Sequence, residues 1–371
     1  MTKDGFSQNN KISLRQLQAL LILEVFGFGV VDLPRRLTGF AGHDGWASVL
    51  FAVIFIIILT AIMTHTVKLF PETSFYELSR EILSRPIGVV VSLLFALRLI
   101  LLAAFNLRIF AEIINQIMLP TTPFAVIFAS MLMIAAYGAA KGMETRARMA
   151  EVLILIALLP LGFVFVMSGR DIDFSNLMPL MVTPFENILT GSLSAFFAFS
   201  GIEVLLLVGP FLARPKHLTK SSIQAVATIG IFMIIITVAT IARFGHANVV
   251  HQMWPVLKMM DTVGLVGSVI DRQGVFIMTF WIISAYATIN AALFFSSLLL
   301  KDVVKKGRHS WYILGFIPII AIIAYLPANL TAVFRYFDLI NSTLGVTTMV
   351  IVPLLLLLVS KIRRLGHGQM R

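Results

Sequence analysis

The chain has no cysteine among its 371 residues. That excludes a disulfide framework and a thiolate metal site, and it leaves the redox compartment unread. Charge is scarce as well: Asp, Glu, Lys and Arg make up 13% of the chain, as 18 acids against 29 bases. There is no P-loop, no His-Glu-x-x-His and no Gly-x-Ser-x-Gly. ATP-driven pumping and the common membrane hydrolase chemistries therefore lack support. The histidines are dispersed. His43, His217, His246, His251, His309 and His367 fall in loops or tails, and only His65 lies in an apolar run, near its end. No metal site, no cofactor and no catalytic residue is expected. An integral membrane enzyme would need a nucleophile and base gathered at one interface, and these residues are scattered.

What is abundant is apolar surface. Hydrophobic residues make up 58% of the chain and its mean hydropathy is +0.94. A soluble domain cannot hide that much, so lipid must be the solvent for much of it. The net charge of +11 is spread over short loops, which is a membrane pattern and not a nucleic-acid patch. The first apolar run ends in Pro34-Arg35-Arg36, without the small-residue cleavage site of a secretory signal.

A helix needs ~20 apolar residues to cross ~30 Å of hydrocarbon. Ten spans are expected, near 13–36, 46–70, 87–118, 122–141, 149–168, 187–212, 220–243, 272–300, 311–328 and 335–360. The third is long for one crossing, so it tilts or projects. Twenty Lys and Arg fall in the N-terminus, alternate loops and C-terminus, seven in the opposite loops, and Arg98 and Arg108 inside span three. The bias puts both termini in the cytoplasm. Outside, the segment from Arg243 to Arg272 is read either as an interface anchor at Trp254 or as a short capping helix. The chain reads as one membrane domain over 1–371, with five spans at 13–168 and five at 187–360.

Two heptapeptides nearly repeat: Phe26-Gly27-Phe28-Gly29-Val30-Val31-Asp32 in span one and Phe197-Ala198-Phe199-Ser200-Gly201-Ile202-Glu203 in span six. Small residues interrupt both spans at corresponding places in the two halves, which points to a transporter-type binding site. Glycine permits departure from helix, and unwound backbone is tolerated at depth where it is buried or lines a cavity. Freed N–H groups suit a carboxylate and freed carbonyls an ammonium, so the ligand expected is a zwitterion such as an amino acid. Close packing of intact helices is the competing reading.

Span three carries Arg98, Asn106, Arg108, Glu112 and Asn115. Arg108 and Glu112 are four apart and can pair; Arg98 has no obvious local partner. Either these groups form a salt-bridge network, or Asn106 or Arg98 lines a polar path. Span eight holds Tyr286 and Asn290, four apart on one face, as ligand contacts or as helix glue. The candidate ligand contacts are Gly27, Phe28, Gly29, Asn106, Ser200, Gly201, Tyr286 and Asn290. Asp32, Arg98, Arg108, Glu112 and Glu203 are candidates for gating or structural roles, with Asp32 close enough to Arg35-Arg36 to pair there.

The run from Phe26 to Leu33-Pro34-Arg35 resembles the first broken span of spore germination permeases, the B subunits of germinant receptors. Ala41-Gly42-His43-Asp44-Gly45-Trp46, Asn106-Leu107-Arg108 with Glu112, Leu119-Pro120-Thr121-Thr122-Pro123, Gly142-x-Glu144 with Arg148-x-x-Glu151, Phe199-Ser200-Gly201-Ile202-Glu203 and Trp254-Pro255 are similar to that family's motifs in the same order. The similarity runs from Ile12 to Arg364; Asp271-Arg272 stands where the family often has Glu-Arg. The resemblance implies the amino acid–polyamine–organocation superfamily. It also implies an all-α, LeuT-like fold of two inverted five-helix repeats, with helices one and six broken and substrate between spans one, three, six and eight. It further implies the spore inner membrane, A-type and C-type receptor subunits as partners, and a small polar germinant, an amino acid, that is sensed. The alternative is an autonomous secondary amino-acid transporter of the same fold.

Overall fold

The computed structural model describes residues 10–26, 29–168, 172–261 and 274–364. Fifteen α-helices occur among them and no strand; the one isolated bridge joins Ile12 to Leu212. The polar lead-in ends at Ser13, whose hydroxyl accepts from the Gln16 N–H while Gln16 reaches back to the Ser13 N–H. That capping box starts α1 (Leu14–Val25). The first expected span then breaks and resumes as α2 (Gly29–Ala41). The second is α3 (Gly45–Leu69). A short amphipathic helix, α4 (Phe75–Ile82), is capped by Ser74 and precedes α5 (Arg85–Ile117). The 33 residues of α5 span ~50 Å, so it is the long, projecting crossing. Next come α6 (Phe124–Ala140) and α7 (Met143–Ser168).

The sixth span starts as α8 (Phe185–Phe197) and continues past a break as 3₁₀ turns at Ile202–Leu206 and Gly209–Phe211. Then follow α9 (Leu218–Phe244), the short α10 (His246–Val249) and α11 (Pro255–Asp261), α12 (Gly274–Val304) and α13 (His309–Tyr325). The tenth span is α14 (Leu330–Ile340), two π-helical stretches at Asn341–Gly345 and Thr347–Ile351, and α15 (Val352–Ile362). Every expected span therefore has its helix. Among the described residues, five helical runs are long and apolar enough to cross a bilayer alone, and α6 and α13 are shorter apolar helices. The chain is a multi-pass membrane protein.

The core lies where α5 meets α12 and where α3 meets α8 and α9. Lipid offers apolar helices no hydrophobic drive to associate, so close approach through small residues matters. Gly191 lies against Ser48, Gly230 against Val53 and Gly88 against the Arg80 backbone; a side chain at any of these would collide. At the end of the bundle opposite the N-terminus, the Asp44 carboxylate accepts the N–H groups of Met181, Val182 and Thr183 at 2.7–3.0 Å. The outer segment contains the short helices α10 and α11, and the Trp254 ring packs 5.9 Å from Phe334.

Beside Asp44, the rings of His43 and His246 lie 3.8 Å apart. Burial and then the His246 charge hold His43 below the usual histidine range, against the opposing pull of Asp44. A depressed folded-state pKa means that the unfolded chain binds the proton better, so this contribution is fully present above the unfolded value of about 6.5 and is lost as pH falls from there through the lower folded-state value. The melting temperature of the purified protein is expected to drop on acidification from neutral pH. His246→Gln is expected to flatten that slope; an unchanged slope would show that this pair plays no part.

Candidate functional site

The two heptapeptides meet in space. Val25 ends α1, and Phe26 turns into the interior, fully buried, with its ring edge-on to Phe232 and Phe280 at 5.6 Å each. Gly27 and Phe28 lie outside the described residues. Across from this break, α8 stops at Phe197, and Gly201 turns the chain with φ +109°. Glycine is the residue for which that backbone costs least. A Cβ on Gly29 would sit 3.0 Å from the Ala198 Cα, and one on Gly201 would sit 3.8 Å from the Glu24 carbonyl. The small residues thus let the two broken spans cross backbone to backbone.

Arg98 in α5 points straight at the second break and is fully buried. Its Nε donates to Glu203 at 2.8 Å, Nη2 to Ser200 Oγ at 3.1 Å, and Nη1 to Asn341 Oδ1 at 3.2 Å. Ser200 Oγ also donates to Asn341 at 3.3 Å. Gly345, one π-turn along span ten, leaves room for the guanidinium; a Cβ there would be 3.0 Å from Nη1. Arg98, without a partner in sequence, therefore has three oxygen partners in space, on spans six and ten, and its Nη2 also lies 3.6 Å from the Met349 sulfur. The other Glu203 oxygen accepts the Gly201 N–H at 2.8 Å. This corrects the expectation that the break offers this N–H to a ligand. A buried backbone donor must be paired, and a carboxylate two residues on reaches it first.

A second buried ion pair lies at the first break, by the end of α1. Arg146, counted by sequence among the loop bases, is buried at the start of α7 and donates to Glu24 at 2.9 Å. It also donates to Asn290 Oδ1 at 2.5 Å, and its guanidinium rests on the rings of Phe294 and Phe295 at 4.8 and 5.2 Å. Thr288 Oγ1 donates to the Glu24 carbonyl at 2.8 Å, so α12 ties down the end of α1. The acid costly at membrane depth is neutralised by a cation that carries its own aromatic seat.

The remaining candidates sort by what they touch. Asn290 also donates to the Ala135 carbonyl at 2.8 Å, which leaves its amide occupied within the fold. Tyr286, one turn before it, faces Gly138 and a groove between α6 and α7, away from the breaks. Asn106 donates to the Leu102 carbonyl of its own helix at 2.8 Å. Such back-bonding is what a buried polar group on an apolar helix does when no partner faces it. Arg108 pairs with Glu112 at 2.8 Å and lies 4.8 Å over the Phe124 ring, remote from the crossing.

A wide cavity of about 990 Å³ opens between α2, α8 and α14, toward the end of the bundle opposite the N-terminus. Phe40, Leu193 and Tyr336 are among the residues that line it. Its inner limit is Arg36, which pairs with Asp32 at 2.5 Å and with Asp338 of α14 at 2.8 Å; Arg35 also donates to Asp32 at 2.8 Å. Beyond Arg36 is a small cavity of about 30 Å³ lined by Gly29, Asp32, Ser194, Phe197, Ala198 and Asn341, among others. That is the volume share of about one water molecule. A half-exposed ion pair thus stands between the vestibule and the crossing, whereas two buried pairs close the opposite side.

Of the sequence candidates, Gly29, Asp32, Arg98, Ser200, Gly201 and Glu203 gather at this crossing. Arg36 belongs beside them as the expected partner of Asp32, and Asp338, Asn341, Ser194 and Arg146 join it although sequence alone does not mark them. The i,i+4 spacing of Asp32 and Arg36 was a readable signal. Asp338 and Asn341 carried a weaker one, an acid and an amide inside the expected tenth span, with nothing local to say what they meet.

Comparison with known proteins bears on this geometry. A family model described as spore germination protein matches residues 11–333. Spore germination protein YndE of Bacillus subtilis (strain 168) is 28% identical over 363 residues, covering 98% of this chain and 99% of that protein. Spore germination protein B2 of the same organism is 23% identical, covering 98% and 99%. Among solved structures, MhsT in complex with L-phenylalanine superposes with a TM-score of 0.71 at 13% identity, over 93% of this chain and 97% of that one. At that identity the likeness shows the fold alone, all-helical and LeuT-like, and the first and sixth spans are broken as described.

Proposed function

This chain belongs to the spore germination permease family, and we propose that it is a germinant-sensing subunit that binds a small polar nutrient, an amino acid, at the crossing of its two broken helices. The observation that carries the reading is the vestibule between α2, α8 and α14, which ends at that crossing behind a single half-exposed ion pair. Asp32 would meet the ammonium group, and Arg36 or the Arg98–Asn341 cluster the carboxylate. The small cavity is too tight for an amino acid, so binding requires α2 and α14 to separate at Arg36–Asp338. Ligand would then favour the opened arrangement over the closed one, and that shift is the signal. The role proposed is binding and not catalysis.

The distribution of basic residues supports an orientation with both termini in the cytoplasm, so that the vestibule faces the incoming germinant. The spore inner membrane and A-type and C-type subunits as partners complete the proposal. The fold shared with MhsT keeps autonomous transport as a second reading. It would require the two buried pairs on the inner side to open in every cycle.

A panel of amino acids tested by thermal shift on the purified subunit is expected to yield one or a few that raise the melting temperature. At 100 times Kd the gain is about 2.7 kcal/mol. Asn341→Leu and Asp32→Asn are expected to remove that gain, whereas Asn106→Leu retains it. A ligand that stabilises Asn341→Leu and Asp32→Asn as well as wild type sinks the assignment. Uptake of that amino acid by the reconstituted chain alone, at physiological rates, would favour the transporter.

A further inference from the structure

A groove of about 460 Å³ runs along the outside of the bundle between α6, α7 and α12, away from the vestibule and the crossing. Met131, Ile134 and Tyr137 of α6 form one wall, Met149 and Leu153 of α7 the other, and Ile283 and Tyr286 of α12 the floor. Charge sits at one end only, and the other polar groups are the Tyr137, Thr145 and Tyr286 hydroxyls and the backbone at Gly138. At the charged end, Lys141 caps α6 and Thr145 lies in the first turn of α7. Lys141 is exposed, its Nζ lies 4.6 Å over the Tyr137 ring, and no ion pair among the described residues includes it.

The dimensions say what fits. From Met131 to Lys141 is ten residues of helix, ~15 Å, which is half of a ~30 Å hydrocarbon core. The groove therefore spans one leaflet, with Lys141, the cation among its described lining residues, at the depth of the headgroups. Methionines on both walls give it an adaptable lining suited to a flexible chain. We propose that this groove is a lipid site that holds one acyl chain of an anionic phospholipid, with the phosphate on Lys141. The site is also wired inward. The Tyr286 hydroxyl and the Asn290 amide both press on Gly138, and Asn290 binds Arg146, the partner of Glu24 on the first broken span. A chain lying against Tyr286 is one side chain away from the ion pair that anchors α1.

The test uses the full chain reconstituted with phosphatidylglycerol bearing a photoreactive acyl chain, followed by peptide mapping. Label is expected to concentrate on 131–153 and on the peptide around Ile283. Lys141→Gln, or the phosphatidylcholine analogue, is expected to reduce it roughly fivefold, the effect of one basic residue at a membrane surface. Ile134→Trp, at a position that is 59% exposed, is expected to fill the groove and abolish it while melting like wild type. Label spread evenly around the bundle overturns the proposal. So does label that is equal for both headgroups and unchanged in Lys141→Gln.

Discussion

Glu203→Leu is expected to lower the unfolding free energy by about 3–5 kcal/mol, because it strands a guanidinium in the interior. Arg98 is fully buried, and Glu203 is its only carboxylate partner among the described residues. Ser200 and Asn341 would remain, but neither carries a charge. The Gly201 N–H would lose its acceptor as well. Arg98→Met combined with Glu203→Leu is expected to recover most of the loss, since an apolar replacement of a buried pair is often neutral. Denaturant unfolding in detergent of the two single variants and the double closes the cycle. Equal stability of wild type and Glu203→Leu would remove the pair from any account of the fold.

Gly201→Leu is expected to abolish the germination response. The position needs φ +109°, and a non-glycine residue there costs about 1–3 kcal/mol in backbone strain. The nearest atom to a Cβ is the Glu24 carbonyl at 3.8 Å, so the Cβ itself fits. The leucine methyls would then enter the crossing of the two spans. Gly201→Asn separates the two effects, because asparagine tolerates positive φ better than leucine. It is expected to accumulate normally and to keep a weakened response. Spores carrying each variant, assayed for germination and for subunit abundance, decide the matter. A full response from Gly201→Leu at normal abundance would mean that nothing binds close to that backbone.

Span positions were legible because a bilayer imposes a length and a polarity that leave little choice. The breaks were legible because Gly27, Gly29 and Gly201 interrupt apolar runs at matching places in the two halves. What escaped was pairing across the bundle. Arg146 follows Gly142 and Glu144 in a stretch that reads as a charged loop, and only the packing of α7 against α1 and α12 buries it. Arg98 and Glu203 are 105 residues apart, and nothing local joins them. Tyr286 and Asn290 share a face, as their spacing said, but that face turns toward Gly138 and Arg146. Helical periodicity fixes which residues point together; it does not fix where.

The π-helical winding of span ten has a consequence for motion. Its bonds run from i to i+5, so each stretch carries more residues per turn than an α-helix. Asn341 and Gly345, which hold Arg98, lie in the first stretch, and Thr347–Ile351 form the second. Such a surplus residue is a dislocation. Passing it along the helix by re-forming α-type bonds turns the segment behind it by ~100°, one residue's share of a turn. Span ten can therefore swing Asn341 off Arg98 by a slip of register, without either end of the helix leaving its place.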